Sequence, residues 1–268
     1  MPFELSTLLT FLHVLVVLGI SLRVIMRRPP SGVALAWMFL VAFVPLGGFV
    51  LYLLIGERRV GLRRARRIAA IRADYAKLAQ HVIDQGLTQV FWDKHRPEAR
   101  GMDRLGTSLV GIPTVAGCMA QFYSESEQTL RAIAQDIDNA HKSVLIEFYI
   151  WNEGGAADEV LEALIRAGRR GISCRVLVDA VGARPWWRGR QSQRLREAGV
   201  QVQPALPVSL LQALVSRNDL RLHRKIVVVD ACVAWTGSMN LVDPRYFKPG
   251  AHVGPWVDAM VRLEGSVV

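Results

Sequence analysis

Two stretches near the N-terminus, 5–22 and 33–55, carry no charged residue. As helices they would run roughly 27 and 34 Å, against the ~30 Å hydrocarbon thickness of a bilayer. Both are apolar all round rather than along one stripe, which separates them from the core helix of a soluble domain. A cleaved leader is not expected, because Arg23, Arg27 and Arg28 follow the first apolar run and a second run comes next. The pattern predicts a membrane anchor over 1–57 with two transmembrane helices, about 5–22 and 33–55. Pro45 would kink the second, which a membrane helix tolerates. His13 reads as a contact between helices rather than a proton relay.

The pattern then changes. Residues 58–112 read as a basic juxtamembrane linker, helical to about 95 and polar up to Pro113. From 113 to 268 the spacing becomes that of a globular domain. Residues 126–141 have helical spacing, and SVLIEFYI (143–150) is a strand rich in branched and aromatic residues. Residues 156–169 form an amphipathic helix closed by Gly171, and ISCRVLVD (172–179) is a second strand, so the pair should run parallel. A further helix runs through Glu197 to Gly199, and 200–202 begin another strand. Strands over 225–229 and 232–235 meet at an Asp230-Ala231 turn, and 256–263 form a last strand. The expected fold is two N-terminal transmembrane helices plus an α/β domain with a mixed β-sheet flanked by helices.

Charge narrows the partners. Thirty-three Lys and Arg stand against 23 Asp and Glu, a net charge of +10, in a chain that is 51% hydrophobic. Such a balance suits an anionic partner, nucleic acid or a phospholipid surface. Arg58, Arg59, Arg63, Arg64, Arg66 and Arg67 follow the second apolar run, outnumbering the arginines between the runs. The heavier cluster should be cytoplasmic, with both the N-terminus and the C-terminal domain on that side. Each basic residue beside anionic lipid gains about 1 kcal/mol. Cys118, Cys174 and Cys232 show no CxxC spacing, so neither a disulfide framework nor a zinc site is expected.

One segment carries chemistry. Residues 222–240 read LHRKIVVVDACVAWTGSMN, which sets His223, Lys225 and Asp230 in the pattern HxKxxxxD and then Gly237, Ser238 and Asn240 as GSxN. All six at these offsets arise by chance in roughly one chain of this length in several hundred thousand. His223 and Lys225, two apart at the entry to a strand, leave it on one face. An imidazole with a pKa of about 6.5 can attack phosphorus at neutral pH, and an ammonium beside it can hold a phosphoryl oxygen. Ser238 and Asn240 could donate to the same phosphate. Asp230, at the opposite parity, reads as a turn-fixing residue with an indirect effect on catalysis. Asp258, inside the apolar run WVDAMV, is the candidate carboxylate for orienting His223; a salt bridge with Arg262 is the competing reading. Glu147 poses the same question inside VLIEFYI. The chemistry asks for no metal.

The chain resembles the bacterial cardiolipin synthases of the phospholipase D superfamily. The resemblance runs through AWMFLVAFVPLGGFVLYLLIGE, IEFYIWNEGG, RRGISCRVLVDAVG and HRKIVVVDACVAWTGSMNLVDPRYFK. It implies a phospholipase D-like half that joins two phosphatidylglycerol molecules into cardiolipin and releases glycerol. His223 would form a phosphatidyl-histidine intermediate or protonate the leaving group, with Lys225 and Asn240 on the phosphate. No cofactor is implied, the partners are phosphatidylglycerol and anionic membrane lipid, and the location is the bacterial cytoplasmic membrane.

Members of that family carry two such motifs, and this sequence has one. His13, His81, His95, His141 and His252 are not followed by Lys at the second position. The expectation is therefore a homodimer about a twofold axis, or a second motif from a full-length partner or a missing C-terminal half. A membrane-tethered dimeric phosphodiesterase, nuclease or phospholipase D is the second class. The clustering of arginines beside the apolar runs, and the segment VDPRYFK, speak against nucleic acid. The third class is an inactive truncated synthase, marked by an apolar sheet edge or face left uncovered. Two segments stay open. Residues 184–188 (RPWWR) read as an interfacial lipid contact or a packed loop, and 207–215 as a bilayer-dipping segment or an ordinary buried helix.

Overall fold

The computed structural model describes residues 2–56, 62–207, 221–248, 250 and 256–268. It forms two units. In the first, α1 (Pro2–Arg27) includes a candidate membrane span, Glu4–Arg27, of mean hydropathy 2.3. Ile20 and Val24 on α1 bury themselves against Val41 and Tyr52, while Leu5, Leu8, Phe11, Leu18 and Leu22 stay exposed, as suits a helix with lipid on one side. His13 Nε2 lies 3.1 Å from the carbonyl of Ala42, a contact between helices.

The second apolar run, expected as one helix over 33–55 kinked at Pro45, is broken there into shorter pieces. It gives α2 (Ser31–Phe43), a break at 44–46, α3 (Gly47–Leu51) and a π-helical turn over Tyr52–Gly56. The reason is Pro45, which has no N–H to donate and drives the residue before it out of the helical region. Val44 accordingly sits at φ −120° and ψ 82°. Both pieces are shorter than a membrane span, so one described helix is long and apolar enough to cross a bilayer. Arg58 and Arg59 fall outside the described residues, as do 208–215 of the ambiguous apolar segment.

The second unit takes in α4 (Leu62–Asp84) from Ala65 onward and α5 (Pro97–Val110), then builds a seven-stranded sheet in the order β1-β7-β6-β5-β2-β3-β4. The strands are β1 (Cys118–Tyr123), β2 (Ser143–Phe148), β3 (Ser173–Asp179), β4 (Gln201–Ala205), β5 (Ile226–Val229), β6 (Val233–Gly237) and β7 (Met260–Gly265). β2, β3 and β4 run parallel, and every other pairing is antiparallel. α6 (Ser126–Asp138) and α7 (Ala156–Arg169) cover one face, joined by α8 (Arg184–Trp187) and α9 (Arg190–Glu197) in the crossover to β4. α7 spans the residues its periodicity predicts. Val160, Leu161, Leu164 and Ile165 go into the core, and Asp158 and Glu159 lie in the first turn, where the helix dipole favours acids.

Strand alternation shows how the sheet is used. Val144, Ile146 and Phe148 of β2 face the helices and are buried, whereas Leu145, one position over in a strand with neighbours on both sides, is 44% exposed. Paired positions on the same face are Leu177, Val228, Ala234 and Leu263, with Phe122 on β1 71% exposed. Glu147, Arg175, Gln201 and Gln203 share that face, so it is mixed, with Leu145 and Phe122 its exposed large apolar side chains.

Trp186, half of the ambiguous RPWWR pair, is buried and stacks on Trp151 at 3.9 Å, and Trp187 donates to the Ala180 carbonyl. Both tryptophans therefore pack on the domain. The three cysteines are free, and burial pushes the Cys174 thiol up to about 11. In the β5–β6 turn, Asp230 and Ala231 take φ +55° and +53°. An alanine pays a steric cost there that glycine avoids, so Ala231→Gly is expected to raise stability by roughly 0.5–1 kcal/mol in denaturant melts.

Candidate active site

Residues 221–225 approach β5 without regular structure, and Tyr149, just past the end of β2, meets them. The His223 ring stands edge-on to the Tyr149 ring with centroids 4.5 Å apart, and Lys225 Nζ lies 5.7 Å from the same ring centre. Lys225 also donates to the His223 carbonyl at 2.8 Å. The two residues share a face, as their spacing requires. Arg224, between them, turns to the open side of the sheet and forms an ion pair with Glu147 at 2.8 Å. That contact gives Glu147 a structural partner on the face away from His223.

The GSxN residues close the other side. Gly237 is pressed against the backbone of β7: a Cβ there would come within 2.1 Å of the Ala259 carbonyl. Only glycine lets β6 end that close to its neighbour. Ser238 Oγ donates to Asp258 Oδ1 at 2.7 Å and accepts from the Ala259 N–H at 3.0 Å. Asn240 Oδ1 accepts from the Ile150 N–H at 3.1 Å, next to Tyr149, so the donor end of this side chain is its amide NH2.

Asp258 is placed differently from its expected role. β7 begins only at Met260, opposite Gly237, so Asp258 lies in the extended segment before the strand. There it holds Ser238 and acts on Lys225 through its charge; His223 is not among its hydrogen-bond partners. Arg262, the alternative partner, pairs instead with Asp136 and Glu264 on the helix-covered face. Burial lowers the Lys225 ammonium below the ordinary lysine value, and the Asp258 charge opposes that shift in part.

Asp230, the third motif residue, is not brought to the other two. It sits past the far end of β5, five residues from Lys225 and so roughly 17 Å away along an extended chain. Its carboxylate accepts the backbone N–H groups of His141, Lys142 and Ser143, each at 2.7 Å. Burial would raise this carboxyl, but the three N–H donors outweigh it and hold it below the usual range. Asp230 therefore fastens the start of β2 to the β5–β6 turn.

Sequence reasoning passed over Tyr149, visible only as the tyrosine closing an apolar strand, and Asp179, a carboxylate closing another. Among the described residues no three His, Cys, Asp or Glu side chains gather to hold a metal ion.

Residues 133–248 match the family model described as cardiolipin synthase, PLD-like domain, and residues 14–57 match the phospholipase D-nuclease N-terminal model. Cardiolipin synthase A of Edwardsiella ictaluri is 41% identical over 263 residues, covering 98% of this chain and 54% of the relative. That of Erwinia tasmaniensis is 40% identical over 262 residues, with the same coverage of both chains. The chain thus spans about half the length of the curated relatives it matches. Among solved structures, the phospholipase D family member Nuc from Salmonella typhimurium aligns at TM-score 0.40 and 19% identity, over 56% of this chain and 84% of Nuc. NucT from Helicobacter pylori aligns at TM-score 0.42 and 14% identity, over 56% of this chain and 88% of NucT.

Proposed function

We infer that this chain, which carries the PLD-like domain of the cardiolipin synthases over residues 133–248, is a membrane-bound phosphatidyltransferase that makes cardiolipin from two phosphatidylglycerol molecules. The observation that carries this reading is the joint presentation of His223 and Lys225 on the Tyr149 ring inside that domain. Its likeness to synthases at about 40% identity favours a lipid substrate over other phosphodiesters.

One histidine cannot both attack phosphorus and protonate the group leaving from the opposite side. The reading therefore assigns the second His–Lys set to a second copy of the chain, to another motif-bearing chain, or to a C-terminal half such as the remaining length of the relatives would hold. In the first half-reaction, a neutral His223 bonds to phosphorus as the bond from phosphorus to the glycerol oxygen breaks. The protonated histidine opposite gives that oxygen its proton, and glycerol leaves. In the second, that now neutral histidine takes the proton from the terminal hydroxyl of another phosphatidylglycerol. Its oxygen bonds to phosphorus as the P–N bond breaks, so cardiolipin leaves and the starting charges return. Lys225 and the Asn240 amide would hold the phosphoryl oxygens as charge develops. The exposed Leu145 and Phe122 side chains, on the sheet face opposite α6 and α7, are compatible with a partner covering them. The arginine distribution favours a cytoplasmic position for the catalytic unit in this reading.

Phosphatidylglycerol liposomes containing the purified chain should yield cardiolipin and glycerol in equal amounts. Phosphatidic acid in place of cardiolipin would mean that water resolves the intermediate, and no product from folded protein would end the reading for this chain alone. The rate should also fall away on the alkaline side below the ordinary lysine value of about 10.4, since the Lys225 ammonium is lost as pH rises through a lowered pKa. Asp258→Asn removes the charge that favours the ammonium, so the alkaline limb of its pH–rate profile should move to lower pH. An unmoved limb would detach Lys225 from the rate.

A further inference from the structure

At the C-terminal end of β3, Asp179 is fully buried and receives hydrogen bonds from two directions. From one side come the Val181 and Gly182 N–H groups at 2.9 and 2.8 Å. From the other come the Leu222 N–H at 3.0 Å and a two-pronged Arg221 guanidinium, whose Nη2 reaches Oδ1 at 2.8 Å and whose Nε reaches Oδ2 at 3.0 Å. Arg221 also donates to the Leu206 carbonyl at 2.9 Å, joining the end of β4 to the residues before the motif. Burial alone would raise the Asp179 carboxyl, but Arg221 and the three N–H donors overcome it and keep it ionised.

Both groups of donors lead to His223. Arg221 and Leu222 are the two residues immediately before it in the chain. Gly182 is the surface on which Tyr149 rests: a Cβ there would come within 2.5 Å of the Tyr149 carbonyl and 2.6 Å of its ring. Tyr149 in turn is the ring against which His223 stands. A buried ion pair is a poor source of stability, because desolvation cancels most of the attraction, but its fork geometry admits little freedom.

We propose that Asp179 is the positioning residue of this site, holding the backbone before His223 through Arg221 and Leu222 and the ring beside His223 through Gly182 and Tyr149. Asp179 touches no reacting atom; it acts by setting where the imidazole stands. This rests on the reading of His223 as the reacting group, and the test separates the two.

Asp179→Asn keeps the size of the side chain but sets an amide against donors that need an acceptor. In phosphatidylglycerol liposomes kcat should fall about 10²-fold with KM within twofold, as for a misplaced reacting group. In the histidine-labelled full-length chain, the His223 ring resonance, assigned by its loss in His223→Gln, should be displaced in the wild type by the Tyr149 ring current. In folded Asp179→Asn it should move toward the value of a free histidine. Should that variant fail to fold, Arg221→Lys keeps the charge and removes the fork, and should give the same changes at smaller size. Added guanidinium should restore part of the rate of Arg221→Ala. A folded variant with wild-type kcat and an unmoved His223 resonance would overturn the proposal. A wild type without transferase activity whose His223 resonance still moves in Asp179→Asn would keep the positioning role and remove the reaction.

Discussion

His223→Ala is expected to abolish cardiolipin formation, lowering the rate by at least about 10³-fold, while the thermal midpoint of the catalytic unit stays within a few degrees of wild type. Losing a covalent nucleophile or the essential acid removes an interaction with no substitute, and such losses in comparable enzymes reach 10³–10⁶-fold. The small stability effect follows from the setting of the residue. The His223 side chain is exposed, and its ring contact is with Tyr149. Truncation therefore opens no cavity and leaves no buried donor unpaired. Product assays in phosphatidylglycerol liposomes, beside melting curves of the same preparation, measure both halves of the claim. Retained product formation with His223 absent would remove it from the chemistry. Co-reconstituting wild type with excess His223→Ala adds a second readout: activity per wild-type chain should fall if two copies complete one site, and should hold if each chain acts alone.

Asp230→Ala should show the opposite profile, although Asp230 belongs to the same sequence motif as His223 and Lys225. Stability should drop by about 3 kcal/mol, because three N–H groups lose a charged acceptor worth roughly 1.5–3 kcal/mol each and water recovers part of that at this half-exposed turn. For a unit of this size the midpoint should fall by about 6–12 °C. Protein still folded at low temperature should keep a much larger share of its rate than His223→Ala does. The carboxyl is held below its ordinary value, so its contribution is fully present above about pH 4 and is lost as pH falls through the lowered pKa. Asp230→Asn keeps an acceptor and tolerates the left-handed backbone, so its loss should be intermediate. A rate loss in folded Asp230→Ala as deep as that of His223→Ala would give Asp230 a direct part in the reaction.

Elements that satisfy their own requirements could be read from local pattern. α7 carries its apolar stripe and its first-turn acids within one stretch, and the parallel β2–β3 pair follows from the apolar runs on either side of it. α5 and β1 escaped notice. The α5 stretch reads as polar linker, and the strand residues of β1 find their pairing partner in β7, more than 130 residues later. In the second apolar run the sequence shows where the helix is disturbed, at Pro45, but not that it divides into two shorter pieces.

The same division holds within the site. His223, Lys225, Ser238 and Asn240 declare themselves through spacing, because residues two apart share a face of an extended chain whatever surrounds them. The sequence by itself thus determined the candidate reacting groups, the basic and apolar character of the chain, and the α/β class of the second unit. Only the tertiary structure decided which carboxylate serves which group. Asp258 goes to Ser238 because β7 starts at Met260, Asp230 goes to the start of β2 because it ends the opposite side of β5, and Asp179 reaches the residues before His223 from more than 40 positions away. Local spacing dictates the direction in which a side chain leaves the backbone, but a carboxylate finds its partner through strand order and register, which are properties of the assembled sheet.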